Sequence, residues 1–98
     1  MLILFKIHES QGKSVLAACD KEILGKKLEK DNICFEVKES FYKGKPAGRK
    51  EIVEMLKKHS NINLVGEKVV GIALEENIAE EKSVLMIGNV PHVQIFRI

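Results

Sequence analysis

Apolar and polar positions alternate from the start of the chain. In LILFKIH, residues 2–8, Ile3, Phe5 and Ile7 share one face, while Leu2, Leu4, Lys6 and His8 share the other, which is the period of a strand. The polar stretch ESQGK contains Gly12 and predicts a turn, so SVLAACD is expected to return as the second arm of a hairpin. Asp20 is placed to cap a short helix over KEILGKK, weakened by Gly25. ICFEVKE alternates strictly and predicts a strand, with Ile33, Phe35 and Val37 inward and Cys34, Glu36 and Lys38 toward solvent or an edge.

SFYKGKPAG, punctuated by Gly44, Pro46 and Gly48, reads as a loop. RKEIVEMLKKHS has Ile52, Val53, Met55 and Leu56 at helical spacing, and its terminal lysines suit the negative pole of a helix. A second helix is expected to start at a cap on Ser60 or Asn61. Its stripe runs through Ile62, Val65, Val69, Ile72 and Ala73 and stops near Asn77. The chain closes with SVLMI, a Gly88-Asn89 turn and HVQIFRI, a strand pair. The order is strand, strand, short helix, strand, helix, helix, strand, strand. It predicts one α+β domain over residues 1–98, with a mixed, mostly antiparallel sheet of about five strands and the two main helices on one face.

Composition narrows the class. Apolar residues make up 45 % of the 98, too many for a disordered chain, and the core must come from Ile, Leu, Val and Ala because there is no tryptophan. No run approaches the ~20 apolar residues that cross a bilayer, and the apolar start lacks a basic leader and a cleavage site. A cytoplasmic, soluble protein is the expectation. Cys19 and Cys34 are too few for a disulfide framework and are expected as reduced thiols.

A net charge of +2 does not argue for nucleic acid, but its distribution is uneven. YKGKPAGRK carries Lys43, Lys45, Arg49 and Lys50 without an acid, whereas LEENIAEEK carries Glu75, Glu76, Glu80 and Glu81 against one lysine. A basic and an acidic side are expected. The basic loop also holds Phe41 and Tyr42. Phe41 is expected to anchor the loop, while Tyr42 either does the same or stacks on a base.

The last strand carries the polar candidates. Its period puts His92, Gln94 and Phe96 on one face and Val93 and Ile95 on the other, and Pro91 limits how His92 leaves the turn. Known chemistries find little support. GKPAGRK lacks the spacing and ending of a phosphate loop, GxGxxG is absent, and His8, His59 and His92 have no metal-ligand spacing. No cofactor or metal is expected. Cys19 with His92 is the one pairing that could make a nucleophile.

The segments LAACDKEILGK, ESFYKGK, NLVGEKVVGIA and IGNVPHVQIFRI resemble, in this order, the small archaeal family known as domain of unknown function 424. The resemblance covers nearly the whole chain. It implies a soluble single-domain protein with no assigned reaction. The family's ending stands here as Gly88, Asn89, Val90, Pro91, His92, Val93 and Gln94, with Asn89 where a glycine is common and Val93 in place of alanine. The pattern also covers Cys19, Asp20, Gly25, Lys26, Phe41, Tyr42, Asn63, Gly66 and Glu67. It draws Asn63, His92 and Gln94 together as a polar set. NLVGE, with Gly66, becomes a helix start that either cradles an anion or only packs tightly.

Three functions compete. The first is a non-enzymatic module docking on RNA or a ribonucleoprotein, through Tyr42, Lys43, Lys45, Arg49, Asn63, Gly66, His92 and Gln94. The second is a small enzyme acting on an anionic metabolite, with His92 as general acid–base and Cys19 beside it. The third is a protein-interaction subunit with Leu2 and Leu4 on an open apolar face.

Overall fold

Gln11 and Gly12 both take positive φ, 52° and 78°, the turn that joins two strands with matching twist. It links β1 (Ile3–Ser10) to β2 (Lys13–Asp20) in an unbroken antiparallel ladder from Ile3↔Asp20 to Ser10↔Lys13. The expected hairpin is therefore present. In a computed structural model, residues 2–98 are described, and they form one α+β body.

After β2 come a short 3-10 turn, Lys21–Ile23, then β3 (Lys27–Lys30), β4 (Ile33–Glu36), α1 (Glu39–Tyr42), β5 (Lys45–Ala47) and α2 (Arg49–Lys58). β6 (Asn61–Val65), α3 (Glu67–Glu75), β7 (Leu85–Ile87) and β8 (Val90–Phe96) complete the chain. The main sheet has six strands in the order β5-β1-β2-β6-β8-β7, mixed because β2 and β6 run parallel. β3 and β4 form a separate two-stranded hairpin.

Several local expectations give way. Residues 61–65 are the central strand β6 rather than the start of a helix. A short apolar run has no periodicity of its own, and pairing with β2 on one side and β8 on the other decides its state. Gly66, at φ 125°, then turns the chain into α3. The helix over KEILGKK shrinks to the 3-10 turn. The loop expected over residues 40–48 instead holds most of α1 and all of β5, and Ile33 is exposed rather than inward.

Alternation along the strands builds two cores. On one face, Ile3, Phe5, Leu16, Ala18, Ile62, Leu64 and Val93 pack under Ile52 and Leu56 of α2 and Val69, Ile72 and Ala73 of α3. On the other, Leu4, Ala17, Cys19 and Val65 are covered by Val37 and Tyr42, with Phe35, Phe41 and Leu28 against them. The two longer helices thus share one face, and the hairpin and α1 roof the opposite one. No described helix is long and apolar enough to cross a membrane.

Candidate functional site

Register places the polar set on the roofed face. Asn63 pairs with Gln94 and Val65 with His92 between β6 and β8, so Asn63, His92 and Gln94 point the same way as Cys19 and Tyr42's neighbours. The Tyr42 hydroxyl donates to Asn63 Oδ1 at 2.5 Å. His92 Nε2 lies 3.3 Å from the same oxygen. A carbonyl oxygen can only accept, so the imidazole carries its hydrogen on Nε2. Asn63 is thus held from both sides, by α1 and by β8.

Burial pushes the His92 pKa down, which keeps the ring neutral. Its face meets Phe35 of the hairpin at 4.8 Å between centroids. Phe41 stacks on His8 at 4.5 Å, and His8 Nε2 donates to the Phe41 carbonyl at 2.8 Å. Lys6 Nζ donates to the Ser40 carbonyl at 3.0 Å, tying α1 to β1 a second time.

Between β4, α1 and β6 lies a cleft of about 450 Å³. Phe35, Glu36 and Cys34 line it from β4, Lys38, Ser40 and Phe41 from the α1 segment, and Tyr42 and Asn63 from its floor. Phe35 was expected only as an inward core residue. Its half-burial beside a polar floor is what marks it, and alternation alone carries no such signal.

Other expected site residues go elsewhere. Tyr42 is 1 % exposed, so its ring packs the core and has no face for a base. Burial raises its pKa and keeps it a donor. Arg49 pairs with Glu75 at 2.8 Å and with Glu76 at 3.4 Å, joining the basic and acidic stretches that were expected on opposite sides. Lys43 and Lys45 are exposed and form no ion pair among the described residues. Gln94 is exposed beside Asn63.

Gly66 does not open an anion cradle. The Lys68 and Val69 amides at the start of α3 donate to Asp20 Oδ2 and Oδ1 at 2.8 and 2.9 Å, so the chain's own carboxylate fills the place. Asp20 makes no side-chain cap to the turn that follows it.

Cys19 is buried, and burial pushes its thiol up to about 12. Val65 of β6 stands between Cys19 and His92 in the ladder, which separates them by two strand spacings, or ~10 Å. They form no thiolate–imidazole pair. No group of three or more potential metal ligands gathers among the described residues. Leu4 is covered while Leu2 stays 45 % exposed, so the expected open patch on this strand is halved.

The model of the family described as "Protein of unknown function (DUF424)" matches residues 8–98. The chain belongs to that family. Among solved structures, this DUF424 chain is similar to an uncharacterised conserved protein from Methanopyrus kandleri, at 30 % identity and a TM-score of 0.80, over 98 % of this chain and 91 % of that one. The archaeal source of that structure agrees with the resemblance read from the sequence. No curated protein matches the chain.

Proposed function

We propose that this DUF424 chain is a non-enzymatic binding module that docks on RNA or a ribonucleoprotein, seating an unpaired base in the cleft between β4, α1 and β6. The observation that carries this reading is one cleft lined jointly by two phenyl rings, a lysine and a fixed carboxamide. Aromatic faces take any base, at about 1–3 kcal/mol each. Lys38 on the lining, with Lys43 and Lys45 exposed beyond α1, supplies attraction for phosphate. Asn63 is the contact to the base edge, Tyr42 and His92 position it, and Gln94 extends the polar floor. A cleft of about 450 Å³ suits a splayed-out base rather than a duplex. The cytoplasm is the location that goes with such a partner.

Fluorescence anisotropy with single-stranded RNA at two salt concentrations tests the reading. With three lysines engaged, log K should fall against log salt with a slope of about −2. Absence of binding at low salt, or binding indifferent to salt, overturns it.

A protein-interaction subunit has one observation in its favour, since Leu85 and Met86 lie exposed on β7, an edge strand. That reading requires concentration-dependent association that Leu85→Lys abolishes, measured by analytical ultracentrifugation.

A further inference from the structure

Asn63 offers the cleft only half of its amide. Its Oδ1 accepts from the Tyr42 hydroxyl and from His92 Nε2, while its Nδ2 has no partner among the described residues. No buried side-chain nitrogen or oxygen of the described residues lacks a hydrogen bond, so Nδ2 is open to solvent, and Asn63 lines the cleft. What faces a ligand is therefore a donor. Both groups that fix it donate because both face a carbonyl oxygen, and burial keeps the Tyr42 hydroxyl protonated while His92 packs against Phe35.

The usual bidentate contact of asparagine with adenine needs its oxygen and its nitrogen together. Here the oxygen is spent. Glu36 of β4 lines the same cleft, and a carboxylate can only accept when ionised. A donor on Asn63 and an acceptor on Glu36 complement a carbonyl next to a ring N–H. An exocyclic amino group beside a bare ring nitrogen has the opposite pattern.

Resting on the reading of the cleft as a base-binding site, we propose that it selects bases carrying a ring lactam, uracil or guanine, over the amino bases cytosine and adenine. Asn63 Nδ2 donates to the exocyclic carbonyl and Glu36 accepts from the neighbouring ring N–H. Tyr42 and His92 are positioning residues that keep the amide from flipping.

The test compares oligouridylate with oligocytidylate of equal length, by anisotropy at one low salt concentration, for the native chain and for Tyr42→Phe, His92→Gln and Glu36→Gln. The native chain should bind oligouridylate about tenfold more tightly, at the modest end for a two-bond base-edge contact. Tyr42→Phe should bring the ratio toward one while the oligocytidylate affinity stays within about twofold, because phosphate attraction is untouched. His92→Gln keeps a donor and should preserve the preference, and Glu36→Gln should lower it. Thermal melting verifies that each variant is folded, and Glu36→Gln, on an exposed position, keeps the test open should Tyr42→Phe fail to fold. Equal native binding to both oligomers overturns the selectivity and leaves the RNA reading standing. A preference for cytidylate also overturns it, since Asn63 would then present its oxygen. Binding of neither oligomer removes the RNA reading itself.

Discussion

Asp20 and Gly66 fit against each other so closely that neither position tolerates a change in shape. A Cβ on Gly66 would come 2.6 Å from Asp20 Oδ1 and 2.9 Å from its Cβ. The glycine's φ of 125° and ψ of 147° lie where residues with a side chain do not settle. The absence of a side chain lets the carboxylate reach the Lys68 and Val69 amides.

Gly66→Ala should therefore cost about 2 kcal/mol or more, the sum of backbone strain and a collision with a buried side chain. Urea unfolding measures it, and a loss under about 0.5 kcal/mol, the size of an ordinary surface change, would contradict the account.

Asp20→Ala should cost about 1–2 kcal/mol by leaving two helix amides without their acceptor, and Asp20→Asn less, since one oxygen remains. Burial is the main cause that raises the Asp20 pKa above its ordinary 3.8. In the window above 3.8 the folded state then binds more protons than the unfolded one. The Asp20 contribution is thus full below that window and declines as pH rises through the folded value. Asp20→Asn should remove this decline from the stability–pH curve.

His92 has the opposite sign. Its pKa sits below 6.5 because burial disfavours the imidazolium. The stability it contributes is present above pH 6.5 and is lost as pH falls through the folded-state value. An NMR titration of the His92 ring should give a midpoint below 6.5, and a midpoint above it would mean a carboxylate partner that the geometry lacks.

The two thiols should react very differently. Cys34 is exposed at the cleft, whereas Cys19 is buried with its pKa at about 12. A maleimide should label one thiol per folded chain quickly and the second only on unfolding. Cys34→Ser should abolish the fast phase.

Charge reversal separates cations that are free from those already engaged. Lys43→Glu with Lys45→Glu should weaken RNA binding and flatten its salt dependence by about 1–2 units of slope. Arg49→Ala should change binding little, because Glu75 and Glu76 already hold the guanidinium, and it should change stability by under about 1 kcal/mol as an exposed pair.

What could be read from the sequence is what short-range chemistry decides. Gly12 and Gly88-Asn89 gave both outer hairpins, the Ile52–Leu56 spacing gave α2, and Asn77 marked the end of α3 with a positive φ of 58°. Asn63 and His92 were nameable as directional polar groups near predicted element ends, which the family resemblance drew into one set. Their meeting depended on β6 being a strand, and Ile62–Val65 cannot announce that without the partners Leu16–Cys19 and His92–Ile95. Asp20 was seen as a cap, but of the adjacent turn, whereas its amides come from 48 residues downstream. Tyr42 beside lysines could be read as an anchor or as a stacking ring, and the packing of α1 onto Ala17 and Val65 decides for the anchor.

The middle of the main sheet is stitched from three distant parts of the chain: Leu16–Cys19, Ile62–Val65 and His92–Ile95 lie side by side. A ribosome making this protein cannot finish that seam until β8 has emerged. Growing chains that stop before residue 92 would expose the flank of β6 to chaperones, proteases and one another. Assembly should be slow and all-or-none, because the central contacts join segments that are synthesised far apart.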